Sequence, residues 1–108
     1  MKLRIDEGLQ AIHQMIVRHY DQYNIIHDSQ LNQNTYFFVV EKFFIRNSSR
    51  ASLSVVMVEL DPLHTLVEAI GSGGGQGWLF KFDWGAKESF EKGILKILDQ
   101  NQIIYRQL

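Results

Sequence analysis

Apolar residues recur along this chain with two periods, and the change of period marks the elements. Over residues 6 to 21 they fall at Leu9, Ile12, Ile16 and Tyr20, the spacing of one helical face, with Met15 and His19 beside it. Asp6 is placed to cap that helix, and Glu7 suits the positive end of its dipole. The period then shortens. Asn24 to Leu31 reads as a strand, and Asn32-Gln33-Asn34 reads as a loop. Tyr36 to Arg46, dense in aromatic and β-branched residues, gives the strongest strand signal in the chain. Asn47-Ser48-Ser49 predicts a hairpin turn, Ala51 to Leu60 the returning strand, and Asp61-Pro62-Leu63-His64 a second turn in which Pro62 pre-sets its φ. Thr65 to Ile70 is the next strand, and connections this short imply antiparallel neighbours.

A glycine tract, Gly71-Ser72-Gly73-Gly74-Gly75-Gln76-Gly77, precedes an alternating segment that puts Trp78, Phe80, Phe82 and Trp84 on one side. A last helix is predicted from Gly85 to Asp99, with Phe90, Ile94, Ile97 and Leu98 as its apolar stripe and Glu88–Lys92 as a surface pair. Ile103 to Leu108 forms an apolar tail expected to dock back. This order predicts one α+β domain over residues 1–108. It has two layers: an antiparallel sheet of four or five strands, with the N-terminal and C-terminal helices packed on one face.

The segment from Tyr36 to Ile45 is apolar on both sides. One parity carries Phe37, Val39, Glu41, Phe43 and Ile45, and the other Tyr36, Phe38, Val40, Lys42 and Phe44. A half-solvated antiparallel strand alternates instead. Two helices, each about 10 Å across, cover one face of four strands spaced about 4.8 Å apart, and not both. The other face then needs cover from the Trp78–Trp84 segment, a second copy of the chain or a ligand. Tyr36, Phe38, Val40 and Phe44 are the interface candidates on this reading.

Composition narrows the function classes. The 108 residues are 45% hydrophobic and 21% charged, an ordinary globular balance. Eleven basic and twelve acidic residues leave a net charge of −1, without the basic excess that nucleic-acid binding requires. There are no cysteines, which removes disulfides, thiolate nucleophiles and cysteine zinc sites together. The N-terminus lacks a signal-peptide pattern, and no apolar run is long enough to span a bilayer, so the expected location is the cytoplasm.

The candidate sites thin out on inspection. A phosphate-binding G-x-x-x-x-G-K-[ST] counts from Gly71 to Gln76 and from Gly73 to Trp78, and G-x-G-x-x-G needs a glycine where Gln76 stands. Gly73, Gly74, Gly75 and Gln76 keep one option, an anion nest of backbone N–H groups, set against a bulge or turn. His13 and His19 are six apart, not the i,i+4 spacing of paired ligands, and His27 and His64 lie in or beside turns, so no metal site is expected. No serine sits in a G-x-S-x-G elbow. Glu41 is expected to pair with a basic residue on a neighbouring strand. No catalytic residue and no cofactor are assigned.

Glu41-Lys42-Phe43-Phe44 with Arg46-Asn47, Ala51-Ser52-Leu53, the tract from Gly71 to Gly77, and Phe80-Lys81-Phe82-Asp83-Trp84-Gly85 together resemble a family of small bacterial proteins of unknown function. The resemblance covers residues 41 to 98. It implies a bacterial, cytoplasmic protein and carries over no activity. The leading expectation is therefore a non-enzymatic interaction domain acting as a homodimer, with neither nucleic acid nor membrane as partner. The alternative is a small-molecule or anion-binding domain, enzymatic or not, with its pocket near residues 71–77.

Overall fold

Phe38, Leu53, Val55, Met57 and Val67 are fully buried, and every second residue around them in sequence is more exposed. That period of two is the sheet's inner face. The computed structural model describes the backbone of residues 1–44, 49–74 and 80–108, and the side chains of these residues except 44, 49, 74 and 80–89. Strand β1 spans Lys2–Ile5, helix α1 Leu9–Tyr20, β2 Asn24–Asn32, β3 Thr35–Phe44, β4 Ser49–Asp61, β5 His64–Gly74, α2 Phe80–Gln100 and β6 Tyr105–Gln107. Among the described residues the six strands form one sheet in the order β2-β3-β4-β5-β1-β6, every neighbouring pair antiparallel.

The α+β class and the antiparallel sheet match expectation, and the strand count does not. Six strands replace four or five because both ends of the described chain join the sheet: β1 inserts beside β5, and the tail from Ile103 adds β6 on β1. Strand β1 has four residues and β6 three, too few for a periodic signal to stand out. Two sequence boundaries also move. Helix α1 starts at Leu9 with Gly8 as N-cap, and Asp6 lies ahead of it. A Cβ on Gly8 would stand 2.9 Å from the Pro62 carbonyl oxygen, so the β4–β5 turn approaches the helix start more closely than a side chain allows. Helix α2 starts at Phe80, not Gly85, so the stretch read as an alternating aromatic strand is helical from Phe80 onward. A short aromatic alternation beside a strong helix former yields to propagation of the helix, which adds one hydrogen bond per residue fixed. The predicted turn residues Asn47 and Ser48, and Trp78, lie outside the described residues.

The core is one cluster. It takes Leu3 and Ile5 from β1, Leu9, Ile12, Ile16 and Tyr20 from α1, the inner residues of β3, β4 and β5, and Phe90, Ile94, Ile97 and Leu98 from α2. Each buried aliphatic or aromatic side chain contributes roughly 1.5–3 kcal/mol of transfer free energy. Tyr20 joins the parts: its ring packs against Phe38 and Phe90, and its hydroxyl donates to the Phe90 carbonyl at 2.7 Å. Tyr36 stacks on His13 at 3.8 Å and donates to Gln10 Oε1.

Tyr36, Phe38 and Val40, taken from sequence as interface candidates, therefore belong to the core, with Phe38 and Val40 fully buried. The error is one of parity. The face bearing Phe38 is the one that meets α1, and the face left over is that of Phe37, Val39 and Phe43. The fourth candidate, Phe44, has its side chain outside the described residues.

Candidate functional site

The strand registers assemble the outer face into rows. Phe37 lies opposite Val56, Val56 opposite Glu68, and Glu68 opposite Lys2. In the next row Val39 faces Ser54 and Ser54 faces Ile70. On the other side Thr35, Val58, Leu66 and Arg4 run across four strands. Phe37, Val39, Val56, Val58 and Leu66 thus form an apolar patch across β3, β4 and β5, with Ile70 set off from it by Ser54 and Glu68. Ile70 is 61% exposed, Val56 36%, and Phe43, nearer the strand end, 53%. Scattered exposed apolar residues are normal, whereas a contiguous set on one sheet face marks a place of contact.

Polar groups border the patch. Glu41 sits 3.6 Å from Arg50, the expected cross-strand pairing, and Arg50 also lies over the Phe43 ring. Ser52 and Ser72, opposite each other in the register, share a 2.6 Å hydrogen bond between their hydroxyls. His27 packs its ring against Phe37 from the edge strand β2.

At the corner where β5, β1 and β6 meet, the turn residue Asp61 accepts from the Leu63 amide at 2.8 Å and holds His64 Nδ1 with both carboxylate oxygens, at 2.8 and 2.9 Å. The Leu63 amide first, and His64 second, keep the Asp61 carboxyl below the ordinary carboxylate range. His64 Nε2 lies 3.6 Å from Asp6. Arg4 and Arg106 are directly opposite in the β1–β6 register. With Asp6, His64, Ile104 and Tyr105 they line a concavity of about 490 Å³.

The remaining sequence candidates fall elsewhere. Gly71 to Gly74 complete β5 as paired strand residues, Gly73 opposite Ala51 and Gly74 opposite Arg50. Among the described residues no glycine has positive φ, the conformation that a nest needs. Gly75 and Gln76 lie outside the described residues. His13 Nε2 donates to Asp28 Oδ1 at 2.8 Å, tying α1 to β2. His19 lines a second hollow between the helices with Met15, Arg18 and Ile97, and burial, then Lys96, lowers its pKa. No group of three metal-ligating side chains occurs among the described residues. No helix among them is long and apolar enough to cross a membrane.

Sequence reasoning missed Phe37, Val39, Val56 and Ile70 as the exposed set, and Arg4 with Arg106 as a pair. The first group was within reach. Ser52 and Ser54 mark the wet side of β4, and the antiparallel register carries that side to Glu41 and Val39 on β3. The arginine pair depends on the contact between two strands at opposite ends of the chain, for which a local pattern carries no signal.

None of the curated proteins compared with the chain matches it. Residues 4–102 match a family of unknown function, DUF6054, a span that runs from the second half of β1 past the end of α2. With nearly its whole length matched, the chain belongs to the DUF6054 family of unknown function.

Proposed function

We propose that the protein is a non-enzymatic interaction domain that pairs with a second copy of itself through the sheet face bearing Phe37, Val39, Val56 and Ile70. The observation that carries this reading is the exposure of Val56 and Ile70 on a sheet face whose apolar residues span three strands. On this reading both helices cover the inner face and leave the outer one for the partner. The contacts of Tyr36 with α1, and of Tyr20 with Phe38 and α2, support that placement.

Charge and size favour a second copy as the occupant. The patch is bordered by Glu41 and Glu68 on the one hand and by Lys2, Arg4 and Arg50 on the other. A face carrying both signs can pair with its own two-fold mate, whereas a nucleic acid or an anionic bilayer asks for one sign. The four long strands β2 to β5, of 9 to 13 residues each, rise about 3.3 Å per residue at about 4.8 Å spacing and present on the order of 700 Å². That is close to the roughly 800 Å² per partner of a standard interface. The domain works in the cytoplasm on this reading.

Mixing isotope-labelled with unlabelled protein tests the contact directly. Nuclear Overhauser effects between copies are expected from the methyl groups of Val56 and Ile70. If such effects arise only from other surfaces, the assigned face is wrong.

A further inference from the structure

The geometry points to a binding site for a phosphate-type oxyanion at the sheet corner where Arg4, Arg106 and His64 line the concavity of about 490 Å³. Arg4 and Arg106 stand directly opposite each other on neighbouring antiparallel strands. Like charges in that position repel, and a sheet tolerates them at a cost unless something neutralises them. No direct ion pair does so: among the described residues neither guanidinium has a carboxylate within ion-pair distance. The carboxylates nearest the corner are already engaged. Asp61 is held by His64 Nδ1 and the Leu63 amide, and Asp6 lies beside His64 Nε2. His64 therefore holds the near contacts of both acids, and the charge of Arg4 reaches Asp61 only from a distance, so neither arginine has a carboxylate in direct contact.

Two guanidinium forks on adjacent strands suit a group with several oxygens. Each fork presents parallel N–H donors in a plane, the geometry that meets phosphate and carboxylate oxygens two at a time. A doubly charged phosphate-type group can accept from both forks, and a single carboxylate meets only one of them fully. The concavity is on the surface, Arg106 is exposed and Arg4 half-buried, so a small ligand reaches both without any rearrangement of the sheet. Ile104 and Tyr105, where the chain enters β6, complete the lining. This site goes beyond self-association and does not depend on it.

The test is a nuclear magnetic resonance titration of the full chain with sodium phosphate, matched in ionic strength against sodium chloride. Saturable shifts are expected at Arg4, His64 and Arg106 with phosphate and not with chloride. The Arg106→Gln variant should bind roughly tenfold more weakly, the loss of one charge-assisted contact. The control Lys2→Gln, on the same strand face as Arg4, should bind as wild type does. Equal shifts with chloride, equal affinity in Arg106→Gln, or no saturation in the wild type would each overturn the site. Because Arg106 lies on a short edge strand, its variant is expected to fold, and a dispersed amide spectrum checks this. A wild type that is monomeric yet binds phosphate would sink the self-association reading alone.

Discussion

The hydroxyl of Tyr20 occupies the space in which a side chain on Gly93 would begin. A Cβ built on Gly93 would stand 2.5 Å from Tyr20 Oη and 3.3 Å from His19 Nε2. The same hydroxyl donates to the Phe90 carbonyl, one turn earlier on α2. The missing side chain at 93 is thus what lets the two helices come within hydrogen-bonding reach.

Gly93→Ala is expected to destabilise the protein, although alanine is the better helix former. Helix propensity favours alanine by roughly 0.5–1 kcal/mol, and overpacking against a buried, hydrogen-bonded ring costs roughly 1–3 kcal/mol. A net loss of about 1 kcal/mol would lower the melting temperature by about 4–8 °C in a chain of this size. In a Tyr20→Phe background the oxygen is gone, and Gly93→Ala should be neutral or stabilising. Thermal unfolding of the four proteins of that cycle checks the coupling.

Tyr20 also sets an alkaline limit. Burial first, then Tyr23 and Glu91, push its hydroxyl well above the ordinary value of 10, so the folded state holds the proton more tightly than the unfolded one. The contribution is complete below pH 10 and is lost as pH rises from there toward the folded-state value. The slope from this group approaches about 1.4 kcal/mol per pH unit. Denaturant unfolding between pH 9 and 12 should show this fall, and Tyr20→Phe should flatten it.

His13 links three elements through its ring. It stacks on Tyr36 at 3.8 Å and meets Asp28 Oδ1 at 2.8 Å, fastening α1 to β3 and β2. His13→Ala should cost about 1 kcal/mol, the scale of one stack and one partly exposed hydrogen bond. Asp28→Asn keeps an acceptor and should cost less. Urea midpoints for both variants decide the order.

How much of this was legible in the sequence depends on the range of the signal. Strands β3 and β4, the first helix and the turn at Asp61-Pro62 follow from local pattern, because alternation and turn chemistry act within a few residues. The double-sided apolarity of Tyr36 to Val40 was visible too. Which side faced the core was not, since Tyr36 and Phe37 look equally suited to a core until β4 is laid beside them. The pairing of Val39 with Ser54 and Glu41 with Ser52 settles that side. Strands β1 and β6 escaped because Leu3 and Ile5 are too short an alternation to read alone, and they become a strand only through Val67 and Tyr105. The corner of Arg4, Arg106 and His64 is assembled by those same long-range pairings.

The most direct measurement is the solution mass of the wild type and of Val56→Asp by light scattering at micromolar concentration. Val56 is more than a third exposed, so the charge should leave the fold intact while disrupting an apolar contact. The expected result is twice the 12.6 kDa chain mass for the wild type and the single mass for the variant. A wild type that scatters as one chain at every concentration would contradict the account.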